Sequence, residues 1–319
     1  MKKILILFLL LTLTGCNAIK ESDVVEKFGK KLEENTSYKA LVKLTATRGD
    51  KNINHEVSVL YSDDNYKVTI KNNDNNTKQI LLKNTDGVFV LTPALNKSFK
   101  FESQWPTNAY HAYLPTAVYR EIVNDEGHTV TKEEKNFVVE SLVTSRHNKK
   151  IYSQKVILDS KNLNILEVIL YDKDKNIIST AKYNEFNYGI TTQKEDFDVE
   201  KSMTTVRLEI GEGSLDVSNE YREPSIIIDG CRLVNTEQLE DKVIYLYGGE
   251  KEYMVIEEVA VENNVLGYNR LYNDIVELDY EIALLADVSL TWHHLGMEYT
   301  IVSSDLSLDE MITVANSVN

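Results

Sequence analysis

Histidines and cysteines are the side chains from which a catalytic or metal site is most often built, and this chain has few of either. There are six histidines, His55, His111, His128, His147, His293 and His294, and two cysteines, Cys16 and Cys231. None of the histidines stands at helical chelate spacing from another histidine or a cysteine. Phosphate-loop, nucleophile-elbow, HExxH and CxxC patterns are absent from the sequence. On a strand, His293 and His294 would point to opposite faces and could not chelate together, so a turn is the expected setting. Cys231, in "SIIIDGCRLV", follows a strand-like run and an Asp-Gly turn and reads as a small half-buried hydrophobe. It has no intramolecular partner besides Cys16, so the fold cannot depend on a disulfide. "KNNDNN" has the oxygen ligands of a calcium loop but neither its glycine nor its closing glutamate, and reads as a surface turn. Carboxylates are abundant enough to pair in space, yet no clustered catalytic set is visible. The expectation is a non-enzymatic protein with no metal and no cofactor.

The ends of the chain say where it works. "MKKILILFLLLTLTG" has Lys2 and Lys3 followed by an apolar run, Ile4 to Thr14, of 11 residues. A membrane-spanning helix needs about 20, so residues 1–15 read as an export signal. Leu13-Thr14-Gly15-Cys16 resembles a bacterial lipobox, with Cys16 the expected site of lipid attachment and the new N-terminus. The alternative is a plain secretory signal with a chance cysteine. Two acyl chains on one cysteine suffice for a stable anchor, which places the protein on the extracytoplasmic face of the cell membrane.

Charge divides the rest. Residues 16–205 carry 27 basic and 27 acidic side chains, whereas 206–319 carry 6 and 23. With the two leader lysines this gives the formal net charge of −15. The break predicts a tether over 16–21, a domain over 22–205 and a small acidic domain over 206–319. An acidic domain of this kind is repelled by nucleic acid and by anionic headgroups, so no nucleic-acid partner is expected.

These residues must be positioned by recognisable elements. "SDVVEKFGKKLEENTSY" puts Val24, Val25, Phe28 and Leu32 at helical spacing, with Asp23 and Glu26 able to form a capping box and Gly29 weakening the helix slightly. The period then changes to two. Tyr38, Ala40, Val42, Leu44 and Ala46 alternate with polar residues, as do Val57, Val59 and Tyr61, then Tyr66, Val68 and Ile70. Turn clusters separate these runs, which predicts an antiparallel meander of about ten strands without a parallel crossover. Pro106 and Pro115 interrupt it, and Pro115 suits the first position of a helix carrying Val118, Tyr119, Ile122 and Val123. In the acidic half, "SIIIDG", "DKVIYLYGG", "EYMVIEEVAV" and the stretch from 279 to 305 read as strands, with a hairpin turn at Gly248-Gly249 and another turn at His294-Leu295-Gly296. Ser307 and Glu310 form a capping box at the head of a helix bearing Met311, Val314, Ala315 and Val318.

One segment stands out for its apolar weight, "DGVFVLTPALNKSFKFESQWP", 86–106. Val88 to Leu91 and Ser98 to Phe101 read as paired strands, with Phe89 and Leu91 sharing one face and Phe99 and Phe101 sharing a face of the next. Trp105, Tyr110, Tyr113 and Leu114 lead into the helical insert. Phe89, Leu91, Phe99, Phe101, Trp105, Tyr110, Tyr113 and Leu114 are therefore candidate cavity-lining residues, with sealed core as the alternative reading.

The lipobox, the N-terminal helix, this segment, "NEFNYG…EDFDVEKSM" and the closing "LTWHHLGMEYTIVSSDLSLDEMITVANSV" together resemble the LolA-like and RseB-like lipoprotein carrier superfamily. Within it the similarity is to the Gram-positive sporulation- and germination-associated lipoproteins with a small C-terminal domain. The resemblance implies an α+β chain: an incomplete antiparallel β-barrel with a helical lid, its apolar interior able to take acyl chains, plus a small α+β domain. It also implies an acyl chain, lipid, lipoprotein or envelope protein as partner, in sporulation or germination. A sensor regulating a membrane-bound regulator of the anti-sigma type is the alternative, and an envelope hydrolase ranks last.

Overall fold

The computed structural model describes residues 19–48, 51–73, 76–101, 105–106, 111–144, 151–210, 221–260, 271–272, 274–279 and 281–318. Cys16, Tyr110 and His147 lie outside them. After a 3₁₀ turn, α1 (Val24–Glu34) leads into β1 (Ser37–Arg48), β2 (Lys51–Ser62), β3 (Asn65–Asn72), β4 (Lys78–Asn84), β5 (Gly87–Thr92) and β6 (Lys97–Phe101). Helix α2 (Pro115–Asn124) precedes β7 (Thr129–Glu133), β8 (Asn136–Leu142), β9 (Ser153–Asp159), β10 (Ile165–Tyr171) and β11 (Ile177–Tyr188), and α3 (Val199–Ile210) follows. The second half holds β12 (Cys231–Gln238), β13 (Lys242–Gly249), β14 (Tyr253–Val259), β15 (Leu271–Tyr272), β16 (Asp274–Glu277), β17 (Ile282–Ala286), β18 (Ser289–His294), β19 (Met297–Val302) and α4 (Leu308–Ala315).

The strands form a 12-stranded sheet, ordered β15-β6-β5-β4-β3-β2-β1-β11-β10-β9-β8-β7, and a 7-stranded sheet, ordered β12-β13-β14-β19-β18-β17-β16. The chain is thus mostly antiparallel sheet with few helices, as the period-two runs require. The long sheet is two meanders joined where β1 pairs with β11, and it is open, since its terminal strands β15 and β7 do not pair. One pairing departs from the antiparallel expectation. β15 comes from the second half and adds in parallel to β6 at Lys100 and Phe101.

α1 and α2 cover one face of the long sheet, called here the inner face. Val24 and Phe28 of α1 and Val118 and Ile122 of α2 pack on Val57, Val59, Val68 and Val168, all buried. Each such side chain contributes roughly 1.5–3 kcal/mol by leaving water. α3 covers the opposite, outer face, where Met203 and Val206 meet Ile80, Leu82, Phe89 and Leu91. β4 and β5 are therefore buried on both faces, which is why "ILL" and "VFVL" are unbroken apolar runs and not alternating ones. The second sheet closes its own core with α4, around Val255, Trp292, Tyr299, Met311 and Val314.

Local signals were realised unevenly. Pro115 opens α2 and the Ser307–Glu310 capping box forms as read. Asp23 does not cap α1. Its backbone is already helical from the 3₁₀ turn, and its carboxylate takes Ser22 and Lys27 instead. "SIIIDG" is not a strand, because the turn at Asp229-Gly230, with Gly230 at φ 78°, comes first and β12 begins at Cys231. The β13–β14 connection lies beyond Gly249, at 250–252. Gly29 has a packing reason. A Cβ there would lie 2.1 Å from the Tyr119 hydroxyl, whose ring meets Phe28 edge-on at 5.7 Å.

Candidate functional site at the junction of the two sheets

The inner face of the long sheet is met by the segment 277–282 of the second half, and a cavity of about 90 Å³ is left between them. Its apolar wall is Leu44 and Ala46 of β1, Ile70 of β3, Leu170 of β10 and Ile178 of β11, with Ala112, Ile151 and Ile282. Its polar rim is His55 of β2, Tyr113, Glu277, Asp279 and Glu281. Alternation places Leu44, Ala46 and Ile70 on one face of β1 and β3, and Ile178 joins them at the register shift of the β10–β11 ladder between Leu170 and Tyr171.

Polar links hold the junction. Trp105 is fully buried and its indole N–H donates to Nε2 of His111 at 2.8 Å. An indole can only donate, so Nε2 accepts, and the imidazole proton sits on Nδ1. Nδ1 then donates to the Glu277 carboxylate at 2.6 Å, and the Tyr113 hydroxyl donates to the same oxygen. With both ring nitrogens engaged, His111 has no lone pair left for proton abstraction. Burial would push the Glu277 carboxyl up, but His111 beside it and the hydrogen bonds from His111 and Tyr113 outweigh that and hold it below the ordinary value. The Tyr113 hydroxyl is pushed far up, first by burial and then by Glu277.

Further along, the Gln79 side chain brackets the Ile282 backbone, accepting from its N–H at 2.8 Å and donating to its carbonyl at 3.4 Å. Lys97 of β6 and His293 of β18 both reach Glu298 at 2.8 Å. Burial opposes ionisation of Glu298, yet the hydrogen bonds and charges of His293 and Lys97 hold its carboxyl down to about 2. His293 also stacks on Phe99 with ring centres 5.9 Å apart. His294 meets Glu281 at 3.2 Å. Four of the histidines thus gather at the junction, and among the described residues no group of three or more His, Cys, Asp or Glu is arranged to hold a metal. His293 and His294 sit at the end of β18, not in the turn that follows, because the strand pairs as far as His294 with Met297.

The candidate lining residues are not brought together. Of the seven that are described, Tyr113 alone borders the junction cavity, and Tyr110 lies outside the described residues. Phe99, Phe101, Trp105 and Leu114 lie in the inner core, where Tyr66 packs edge-on to Trp105 at 5.6 Å. Phe89 and Leu91 pack on the outer face beneath α3. The ladder enforces the split, pairing Phe89 with Lys100 and Leu91 with Ser98, while Val88 and Val90 pair with Phe101 and Phe99. Missed from the sequence were Gln79, Lys97, Glu277 and Glu298. The signal available was "ELDYEIALL", where acids at 277, 279 and 281 alternate with apolar residues in the half that carries the acidic excess.

The family model for YdcC-like sporulation proteins matches residues 1–197. Sporulation protein YdcC of Bacillus subtilis (strain 168) is 32% identical over 98% of this chain and 94% of its own length. The chain belongs to the YdcC-like sporulation protein family. The resemblance to sporulation-associated proteins is thereby borne out over nearly the whole chain. Solved structures with a similar course include the Pseudomonas aeruginosa MucA/MucB complex, at 13% identity, TM-score 0.34, 94% of this chain and 98% of that one. A LolA superfamily protein from Nitrosomonas europaea aligns at 12% identity and TM-score 0.32, over 57% of this chain and 99% of its own. No helix among the described residues is long and apolar enough to cross a membrane.

Proposed function

We propose that this YdcC-like protein is a non-enzymatic binding protein of the cell envelope, acting in sporulation. In this reading Cys16 anchors it by lipid to the extracytoplasmic membrane face, behind the leader 1–15 and the tether 16–21. Residues 22–205 form a half-barrel whose inner face, lidded by α1 and α2, receives an acyl chain, a lipoprotein segment or a partner protein. Residues 206–319 form the acidic domain docked over it. The observation that carries the proposal is the apolar-walled cavity under 277–282. At about 90 Å³ it is well below the 300–1,000 Å³ of ordinary ligand sites, so a chain-like ligand enters only if that segment moves. Ligand uptake and docking of the second domain then oppose each other. This linkage favours a sensor, in which occupancy is reported by the acidic domain.

Lipid extraction and native mass spectrometry of the full chain, followed by titration with a fluorescent fatty acid, test this. Glu277→Ala with Glu298→Ala should bind the probe about tenfold tighter than wild type, because the closing links to His111, Tyr113 and Lys97 are lost. Absence of bound lipid, of probe binding in either protein and of a captured envelope partner would reject the proposal.

A further inference from the structure

The outer face of β2, β3 and β4 carries a second opening, remote from the junction. A cavity of about 330 Å³ lies between these strands and α3. Strand alternation puts Lys67, Thr69 and Lys71 of β3 on this face, and the ladder sets Ser58 beside Thr69 and Lys78 beside Lys71. Ser202, Thr205 and Glu209 complete the lining from α3.

The donors outnumber the acceptors. Lys67, Lys71, Lys78 and the hydroxyls of Ser58, Thr69, Ser202 and Thr205 share the lining with two carboxylates, Glu56 and Glu209, while Asp196 and Lys201 near Lys67 set one charge of each sign beside it. Glu209 is taken by Lys78 at 2.8 Å. Among the described residues neither Lys67 nor Lys71 has an ion-pair partner, although Glu56 stands opposite Lys71 in the ladder. The Ser202 side chain is 3% exposed and its hydroxyl has no hydrogen-bond partner. Burial pulls the Lys67 ammonium below its ordinary value. A buried hydroxyl left unpaired costs roughly 1–3 kcal/mol, and a half-buried ammonium calls for counter-charge. What the cavity lacks is a multi-oxygen anion. A carboxylate offers two oxygens and one charge, whereas a phosphoryl group offers three oxygens and up to two charges to donors converging from a sheet and a helix.

We propose that this cavity is a phosphoryl-binding site. The group can arrive as free phosphate, as a soluble phosphate ester or on a phospholipid headgroup. Calorimetric titration of the full chain with inorganic phosphate and with glycerol 3-phosphate, and co-flotation with vesicles of phosphatidylglycerol in phosphatidylcholine, cover these sources. Saturable binding is expected for at least one probe, weakened about tenfold or more in Lys67→Gln with Lys71→Gln. Lys67→Arg with Lys71→Arg should restore it to within a few-fold, and Ser202→Ala, which removes no charge, should weaken it several-fold. Lys27→Gln with Lys30→Gln, an equal charge loss on α1, should change nothing. Lysine-dependent flotation identifies a headgroup as the source; lysine-dependent titration without flotation identifies a soluble phosphate. Failure of all three probes to bind, or equal affinity in wild type and the double glutamine variant, would overturn the proposal.

Discussion

The two faces of β4 and β5 are closed in different ways. On the outer face one helix from the adjoining chain, α3, closes the sheet with hydrocarbon, Met203 and Val206 against Ile80, Leu82, Phe89 and Leu91. On the inner face α1 and α2 bury the aliphatic centre, but the far edge is closed from the second half through Gln79, His111, Tyr113, Lys97 and two glutamates, Glu277 and Glu298. A hydrocarbon seal weakens only when the core is opened. A seal of carboxylates and their donors changes with pH and with competing ligands, while the sheet beneath it persists. The two closures should therefore respond differently to the same perturbation, the α3 contact over Phe89 and Leu91 as part of the core and the junction as a separable polar contact.

The largest expected effect tests the hydrocarbon side. Phe89→Ala should cost roughly 3–5 kcal/mol of global stability, read by urea unfolding, because a fully buried ring leaves a cavity beneath α3. The polar side should behave otherwise. Glu277→Gln should cost about 1.5–3 kcal/mol of docking, the range for hydrogen bonds to a charged group. Hydrogen exchange should show it as faster exchange confined to 277–282 and β6. Global unfolding in that variant would erase the distinction between the two closures.

The pH dependence sharpens it. Glu277 and Glu298 both have folded-state carboxyls lowered from 4.5, so their contribution is present above that value and is lost as pH falls, for Glu298 down to about 2. Glu257, fully buried on β14 with one oxygen accepting from the Arg222 N–H, is raised by burial and runs the opposite way. Its ionisation disfavours the fold as pH rises through the carboxylate range. Thermal melts should show the junction loosening in acid in wild type and loosening less in Glu298→Gln, where only Glu277 still titrates, while Glu257→Gln should stabilise the second sheet by about 1 kcal/mol at pH 7.

A smaller test concerns the lid. Gly29→Ala should gain about 1 kcal/mol of helix propensity but lose roughly 1–3 kcal/mol through the overlap with Tyr119. A net destabilisation by calorimetry is expected, and Tyr119→Phe in the same background should relieve part of it.

Local signals with a single reading were legible in the sequence. Tyr38 to Ala46 gave a strand by alternation, Pro115 a helix start, and Ser307 with Glu310 a cap. Signals decided by distant contacts were not. Asp23 has the right type for a cap, but the turn before it made the backbone helical. Phe89 and Phe99 are equally apolar, and only the β5–β6 register assigns them to opposite faces. His111 and Glu277 are far apart in sequence, and nothing near either one announces the other. The parallel addition of β15 to β6 is likewise a tertiary event, two residues long with no local signature.

Hydrogen exchange of the full chain during titration with a fluorescent fatty acid tests the central claim most directly. Saturable binding should be accompanied by faster exchange at 277–282 and at β15 and by unchanged protection of Ile80, Leu82, Phe89 and Leu91 beneath α3. Saturable binding with 277–282 still protected would contradict it.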